Sequence, residues 1–390
     1  MPSLFRKKYV FDGIICLALG TAIFALTAFP AESIAAAADG LELCANVIIP
    51  SLFPFFVLST LVVETGVTRY LGRLLEPFMR PLFNVGGGCA AALVLGFFGG
   101  YPVGAKTVIA LYENGDCTKT EAERLLSFCN NSGPAFIFGV VGAGVFSNSA
   151  VGLLLYLAHS LASIIVGIIF RSWGKSGARH ESPRKITPPL ERFSAAFAGS
   201  VKSSAQSMIN ICGFVIFFTV FIRLLFISGF IPRLADLIGA LLGPLGFDSS
   251  WAERLLTGFI EISSGVWSLR EVSGHLTGSV AMAAFMLGWA GLSVHCQVLS
   301  FIGSSGLSVR TYIYGKFIQG VLSALFVLLI ARLFIPDIPA ASYLAEQVTG
   351  FATVDFMRAG ATSCLGAAVI FIFFVIGARR AYDKKAGQRK

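Results

Sequence analysis

Two short stretches carry residues that an uninterrupted apolar helix would not hold. The first is GGYPVGAK, from Gly99 to Lys106, set inside an apolar run. Pro102 removes an amide donor, and Gly99, Gly100 and Gly104 free the backbone. Backbone groups released this way cannot face lipid and must be buried in protein or line a wet cavity. The segment therefore predicts a broken or re-entrant helix whose second half starts near Pro102. Its first amides would present the positive end of a half-helix dipole, with Lys106 one turn further on. The bland alternative is a packing kink with Lys106 snorkelling to the membrane surface.

The second stretch is FCNNSGP, from Phe128 to Pro134. Asn130, Asn131 and Ser132 are neutral donors and acceptors suited to a carboxylate, amide or sugar. Gly133 and Pro134 would end one helix and start the next; a simple helix cap is the competing reading. Further along, Glu261, Ser263, Ser264 and Gly265 interrupt another apolar run, followed by Ser293, His295 and Gln297. A carboxylate in such a run costs about 3 kcal/mol on insertion scales, so Glu261 needs a purpose. It would pair with Lys106, coordinate a coupling cation or carry a proton; an ion pair with Arg254 or Arg270 is the structural alternative. His295 is a second coupling candidate, against the commoner role of a satisfied core histidine.

Other chemistry finds little support. GGYPVGAKT approaches the phosphate loop G-x-x-x-x-G-K-[ST], but the spacing is off by one and no βαβ context surrounds it. Neither G-x-S-x-G nor H-E-x-x-H occurs, so no enzyme is expected. The eight cysteines form no C-x-x-C pair, so no resident metal, cofactor or disulfide framework is expected.

The elements that position these residues are membrane helices. Of the 390 residues 55% are hydrophobic and only 13% charged, too few charges to cover so apolar a body in water. The net charge of +9 gathers at the N-terminus, between Arg171 and Lys202, and at the C-tail. Basic clusters beside apolar spans set membrane topology, so nucleic acid is not an expected partner; the lipid bilayer is. Spans are predicted at Tyr9–Phe29, Val47–Thr65, Cys89–Tyr112, Pro134–Val145 with Val151–Phe170, Ala205–Ile227, Leu255–Trp267, Val280–Ile302, Tyr312–Phe334 and Ala361–Ile376. The first reads as a retained signal-anchor, since Asp12 interrupts a signal-peptide pattern.

The two halves repeat one order of features. Asn46–Gly66 answers Asn210–Gly229, and LLEP at Leu74 answers LLGP at Leu241. The break at Gly99 answers the one at Glu261, and FCNNSGPAF answers WAGLSVHCQ. With the basic segments in the cytoplasm, both termini included, equivalent helices point in opposite directions. The expected fold is thus an all-α polytopic membrane protein of about 8–10 spans, built from two inverted-topology repeats with broken or re-entrant helices. The expected division is 1–45 (signal-anchor and small-residue helix), 46–171 (first repeat), 172–204 (basic linker), 205–335 (second repeat) and 336–390 (polar connection, last span, basic tail).

GGYPVGAK, FCNNSGPAFIFGVVG and GLSVHCQV resemble the YlbJ-type sporulation integral membrane proteins. These sit with the nucleoside-recognition or Gate-domain proteins and are related to concentrative nucleoside transporters. The likeness runs from about Leu43 to Gly320. It implies a stage V sporulation role: moving dipicolinic acid across the outer forespore membrane, on which spore cortex formation depends. Dipicolinate is a flat dianion, suited to half-helix N-termini, Lys106, the Asn130–Ser132 donors and the Tyr101 ring. The leading expectation is a secondary transporter of a small anion coupled to H+ or Na+, compatible with a homo-oligomer. Nucleoside or other metabolite transport is the alternative, as is a non-transporting scaffold, which would have no need of polar residues at repeated breaks.

Overall fold

The computed structural model describes residues 2–64, 74–174, 193–272 and 276–334. Most of the basic linker, the polar connection, the last expected span and the basic tail lie outside them. The described residues are helical apart from short breaks and turns.

The chain opens with α1 (Pro2–Ala28) and α2 (Pro30–Leu43). Pro30 sits in the first turn of α2, where its missing amide costs nothing. A single π-helical segment, Cys44–Ile48, carries α2 into α3 (Ile49–Glu64). The expected small-residue helix and the span after it are therefore one continuous apolar rod, Pro30–Leu58. Next come α4 (Leu74–Phe83) and the helix around α5 (Ala90–Phe98), bent 107° against each other. After α5 the chain breaks, then resumes as α6 (Val103–Glu113).

Thr118 starts α7 (Lys119–Leu126) with a reciprocal capping box to Glu121, whose other oxygen accepts from the Gly86 amide at 2.8 Å. Arg124 on α7 is buried and donates to the carbonyls of Asn84, Trp173 and Gly174, tying α7 to the ends of its neighbours. A non-helical stretch then leads to a π helix, Ala135–Val145, and to α8 (Ser149–Ile169), which Asn148 caps.

The second half repeats this order with α9 (Phe193–Ile227), α10 (Phe230–Leu242), α11 (Ser249–Ile260), α12 (Ile262–Trp267), α13 (Leu276–Trp289), α14 (Gly291–Ser305) and α15 (Arg310–Phe334). Its breaks fall at Glu261 and at Ala290–Gly291, the places equivalent to the first-half breaks. Equivalent helices meet: α3 packs on α9, and α8 packs on α15, which α13 also covers. Such pairing is what an internal two-fold relation produces. The fold is the all-α, polytopic, inverted-repeat class with broken helices.

Five helices among the described residues are long and apolar enough to cross a membrane, six if the bent α4–α5 pair counts as one span. Two shorter apolar helices, Asp12–Ala28 and Ala135–Val145, add to these. The number stays below the expected 8–10 because several apolar runs are divided into half-helices and because the last expected span lies outside the described residues. Outward faces of α1, α8, α9 and α15 expose Leu, Ile and Phe (Phe24, Leu157, Phe217, Leu329), as lipid contact requires.

Candidate substrate site

The first-half break is built by glycine. Gly100 has φ +70°, a conformation natural to glycine, and α6 begins directly after Pro102. On either side, Gly96 and Gly104 face the backbone of Cys129 so closely that a Cβ on either would overlap the Cys129 carbonyl oxygen. Across the same stretch, a Cβ on Gly315 of α15 would overlap the Ser127 carbonyl. The unwound segment 127–134 is thus clamped between the α5–α6 pair and α15, with its side chains fully buried from Phe128 to Ser132.

Its polar groups are distributed among three elements. Asn131 donates to the Phe128 carbonyl at 2.8 Å and accepts from Gln319 of α15 at 2.8 Å. The Ser132 amide donates to His159 Nε2 of α8 at 3.1 Å. The Asn130 carbonyl accepts from the Lys316 ammonium at 2.9 Å. The Asn130 side-chain amide and Ser132 Oγ are buried and, among the described residues, have no hydrogen-bond partner.

The second-half break centres on Glu261. It is buried, takes an extended conformation, and its carboxylate accepts from the amides of Ser263 at 3.0 Å and Ser264 at 2.6 Å. Ser293, in the first turn of α14, donates to the same carboxylate at 3.4 Å. Glu261 therefore caps the short helix that follows it, and among the described residues it makes no ion pair with Lys106, Arg254 or Arg270. Arg254 instead holds Ser250 and the Ser268 carbonyl. Ser264 Oγ approaches Thr219 Oγ1 of α9 at 3.3 Å.

The two breaks meet at one cavity with about 50 Å³ of space into which water fits. Gly100, Tyr101, Ser132 and Gly133 supply one side; Glu261, Ser263, Ser293 and Gln297 supply the other. Phe56 of α3, Phe136 and Val215 of α9 close it with apolar walls. The expected residues are thereby sorted. Gly100, Tyr101, Ser132, Gly133, Glu261, Ser263 and Ser293 come together. Gly99, Pro102 and Gly104 shape the break without lining the cavity. Asn130 and Asn131 lie behind it, and Ser264 turns toward α9.

Lys106 lies elsewhere. It is exposed on α6, its ammonium 4.7 Å from the Phe301 ring centre, beside Glu113. One turn into α6 the helix has already rotated it away from the cavity. His295 also stands off: its Nδ1 meets the Tyr312 hydroxyl at 2.9 Å and its ring lies edge-on to Trp289. Three buried polar residues escaped the sequence reading: His159, Lys316 and Gln319. For His159 and Lys316 a signal was present, since an ionisable residue inside a spanning helix is a functional candidate; Gln319 is a neutral amide and carried none. Lys316 and Gln319, three apart on α15, face the same way.

The architecture has known counterparts. The YlbJ sporulation integral membrane protein of Bacillus subtilis (strain 168) is 34% identical over 321 residues, covering 77% of this chain and 78% of the relative. The chain belongs to the YlbJ family of sporulation integral membrane proteins. The Gate family, described as nucleoside recognition, matches residues 45–209 of this YlbJ-family protein, its first half and the start of α9. CNTnw in an inward-facing, substrate-bound state superposes with a TM-score of 0.56 at 18% identity, over 75% of this chain and 76% of that one. A doubly substituted variant of CNTnw in an outward-facing state gives 0.58 at 15% identity, over 84% and 86%. At such identity the likeness is one of fold: the YlbJ-family chain has a transporter-like membrane fold.

Proposed function

We propose that this YlbJ-family protein is a secondary transporter of a small organic anion, dipicolinate, across the outer forespore membrane during sporulation, with both termini cytoplasmic. The observation that carries the reading is the convergence of two broken helices, one from each half, on a single cavity. Residues 46–171 and 205–335 act as the two repeats, and movement of one against the other would expose the cavity to either side.

The chemistry of the lining supports a flat anion. Tyr101, Phe56 and Phe136 offer aromatic faces. Ser132, Ser293 and Gln297 offer donors, and the Lys316 charge lies behind the Tyr101 ring, 5.1 Å from its centre. The Glu261 carboxylate accepts from the Ser263 and Ser264 amides of α12, which offset part of its negative charge. A neutral nucleoside-like solute is the second reading. It is favoured by Glu261 and Gln297, which would accept from sugar hydroxyls.

The test is uptake of labelled dipicolinate into proteoliposomes, with Ser132→Ala alongside. Removing an unpartnered buried hydroxyl should leave the melting temperature unchanged and lower uptake about tenfold, the value of roughly one good hydrogen bond. Folded wild-type protein that takes up uridine but not dipicolinate would overturn the anion reading in favour of the neutral one.

A further inference from the structure

Helix breaks in transport folds free main-chain carbonyls, and these are where coupling cations bind. In this chain one such carbonyl is already occupied by a cation of its own. The Lys316 ammonium donates to the Asn130 carbonyl at 2.9 Å and to Gln319 Oε1 at 2.8 Å, with the face of Tyr101 on its third side. It is wholly buried, and among the described residues no carboxylate lies within ion-pair distance of it.

We propose that Lys316 is the resident coupling cation of this fold, and that its gain and loss of one proton couples transport to the proton gradient. The inference rests on the reading that the protein is a transporter but not on which solute it carries. As an ammonium, Lys316 pins the Asn130 carbonyl through a charge-assisted bond and so holds segment 127–134 against α15. As an amine it keeps only neutral hydrogen bonds and the segment is released. The proton leaves Nζ for a water molecule admitted when the breaks separate, and a hydronium ion on the other side returns it. The link to the cavity is short: Ser132, two residues beyond Asn130, lines it.

The neighbouring titratable groups are otherwise engaged. His159 of α8 accepts the Ser132 amide on Nε2, and Gln319 Nε2 stands 3.3 Å from the same atom, so protonating it would break both contacts. His295 of α14 and Tyr312 of α15 hold each other. The Tyr101 hydroxyl donates to the Leu287 carbonyl. Helix α13 offers no charged or histidine side chain between Leu276 and Trp289. On α7, Glu123 accepts from the Ser308 amide just ahead of α15, and Arg124 holds main-chain carbonyls. A lysine suits the task because it can shed its charge, as an arginine cannot.

Two variants and two readouts test this. Lys316→Gln removes the charge; Lys316→Arg keeps it but cannot give it up. In detergent, between about pH 5 and pH 9, the wild-type melting temperature should move with pH and stay unchanged when choline replaces sodium. Both variants should lose that pH-dependent step. In sodium-free proteoliposomes, wild type should accumulate dipicolinate when a pH gradient is imposed. Either variant should lose pH-driven accumulation at least tenfold while keeping a cooperative melting transition. A wild-type protein that sodium stabilises or that requires sodium for uptake overturns the proposal, as do variants that keep the pH-dependent step. If the melting behaviour is as expected but no dipicolinate moves, the substrate reading falls and the lysine assignment stands.

Discussion

The Lys316 ammonium and the main-chain oxygen of Asn130, 186 residues apart in sequence, lie 2.9 Å from each other inside the membrane fold. That contact joins the second half of the chain to the unwound segment of the first. It makes α15 a wall of the first-half site, since Gln319 reaches Asn131 and His159 from the same helix face. Several measurements follow from this arrangement.

Gln319 is the hub of the buried network. Gln319→Leu would leave Asn131 Oδ1 and one Lys316 donor without partners, each worth about 1–3 kcal/mol when buried. The melting temperature should fall by several degrees, with Asn131→Leu partly compensating in the double variant. Gln319→Glu should do the opposite. A carboxylate 2.8 Å from Lys316 would fix the ammonium in place. Uptake is then expected to stop while the protein stays folded, and flux against melting temperature separates the two cases.

Gly96 and Gly104 admit the Cys129 carbonyl where no Cβ fits. Alanine at either position should displace segment 127–134 and cost about 1–3 kcal/mol, the usual range for overpacking. Gly213, with nothing near its missing Cβ, is the control at which alanine should be neutral or slightly stabilising. Thermal melts of the three purified variants decide the matter.

Lys106→Ala is expected to leave uptake within about twofold of wild type. Its side chain is exposed and its close contact is the Phe301 ring, an interaction of about 0.5–1 kcal/mol at such a site. A loss of uptake comparable to that of Ser132→Ala would place the substrate path along α6 instead of in the cavity.

Tyr101 has two separable roles. Tyr101→Phe keeps the ring beside Lys316 but orphans the Leu287 carbonyl, so stability should drop by about 1–3 kcal/mol with the pH response of transport retained. Tyr101→Leu removes the ring as well, and the pH at which uptake is half-maximal should then shift. Uptake against pH for the pair distinguishes the contributions.

The sequence by itself determined the membrane, the breaks and the repetition. Charge was too sparse for a water-facing body, and Gly, Pro, Asn and Ser inside apolar runs break helices wherever they stand, because they act on the backbone locally. GGYPVGAK and FCNNSGP are breaks for that reason, and Glu261 caps a half-helix for the same one. Only the tertiary structure decided which side chains face inward. A residue on a helix turns about 100° per step, so Lys106, one turn past a break, points out beside Phe301 while Tyr101 points in. Lys316, His159 and Gln319 sit in otherwise regular apolar helices and break nothing, so the intramembrane charge of Lys316 and the imidazole of His159 mark them as candidates without saying which site they serve. They belong to it because α8 and α15 pack against each other and Gly315 lets the Ser127 backbone come close enough to bring Asn130 to the lysine.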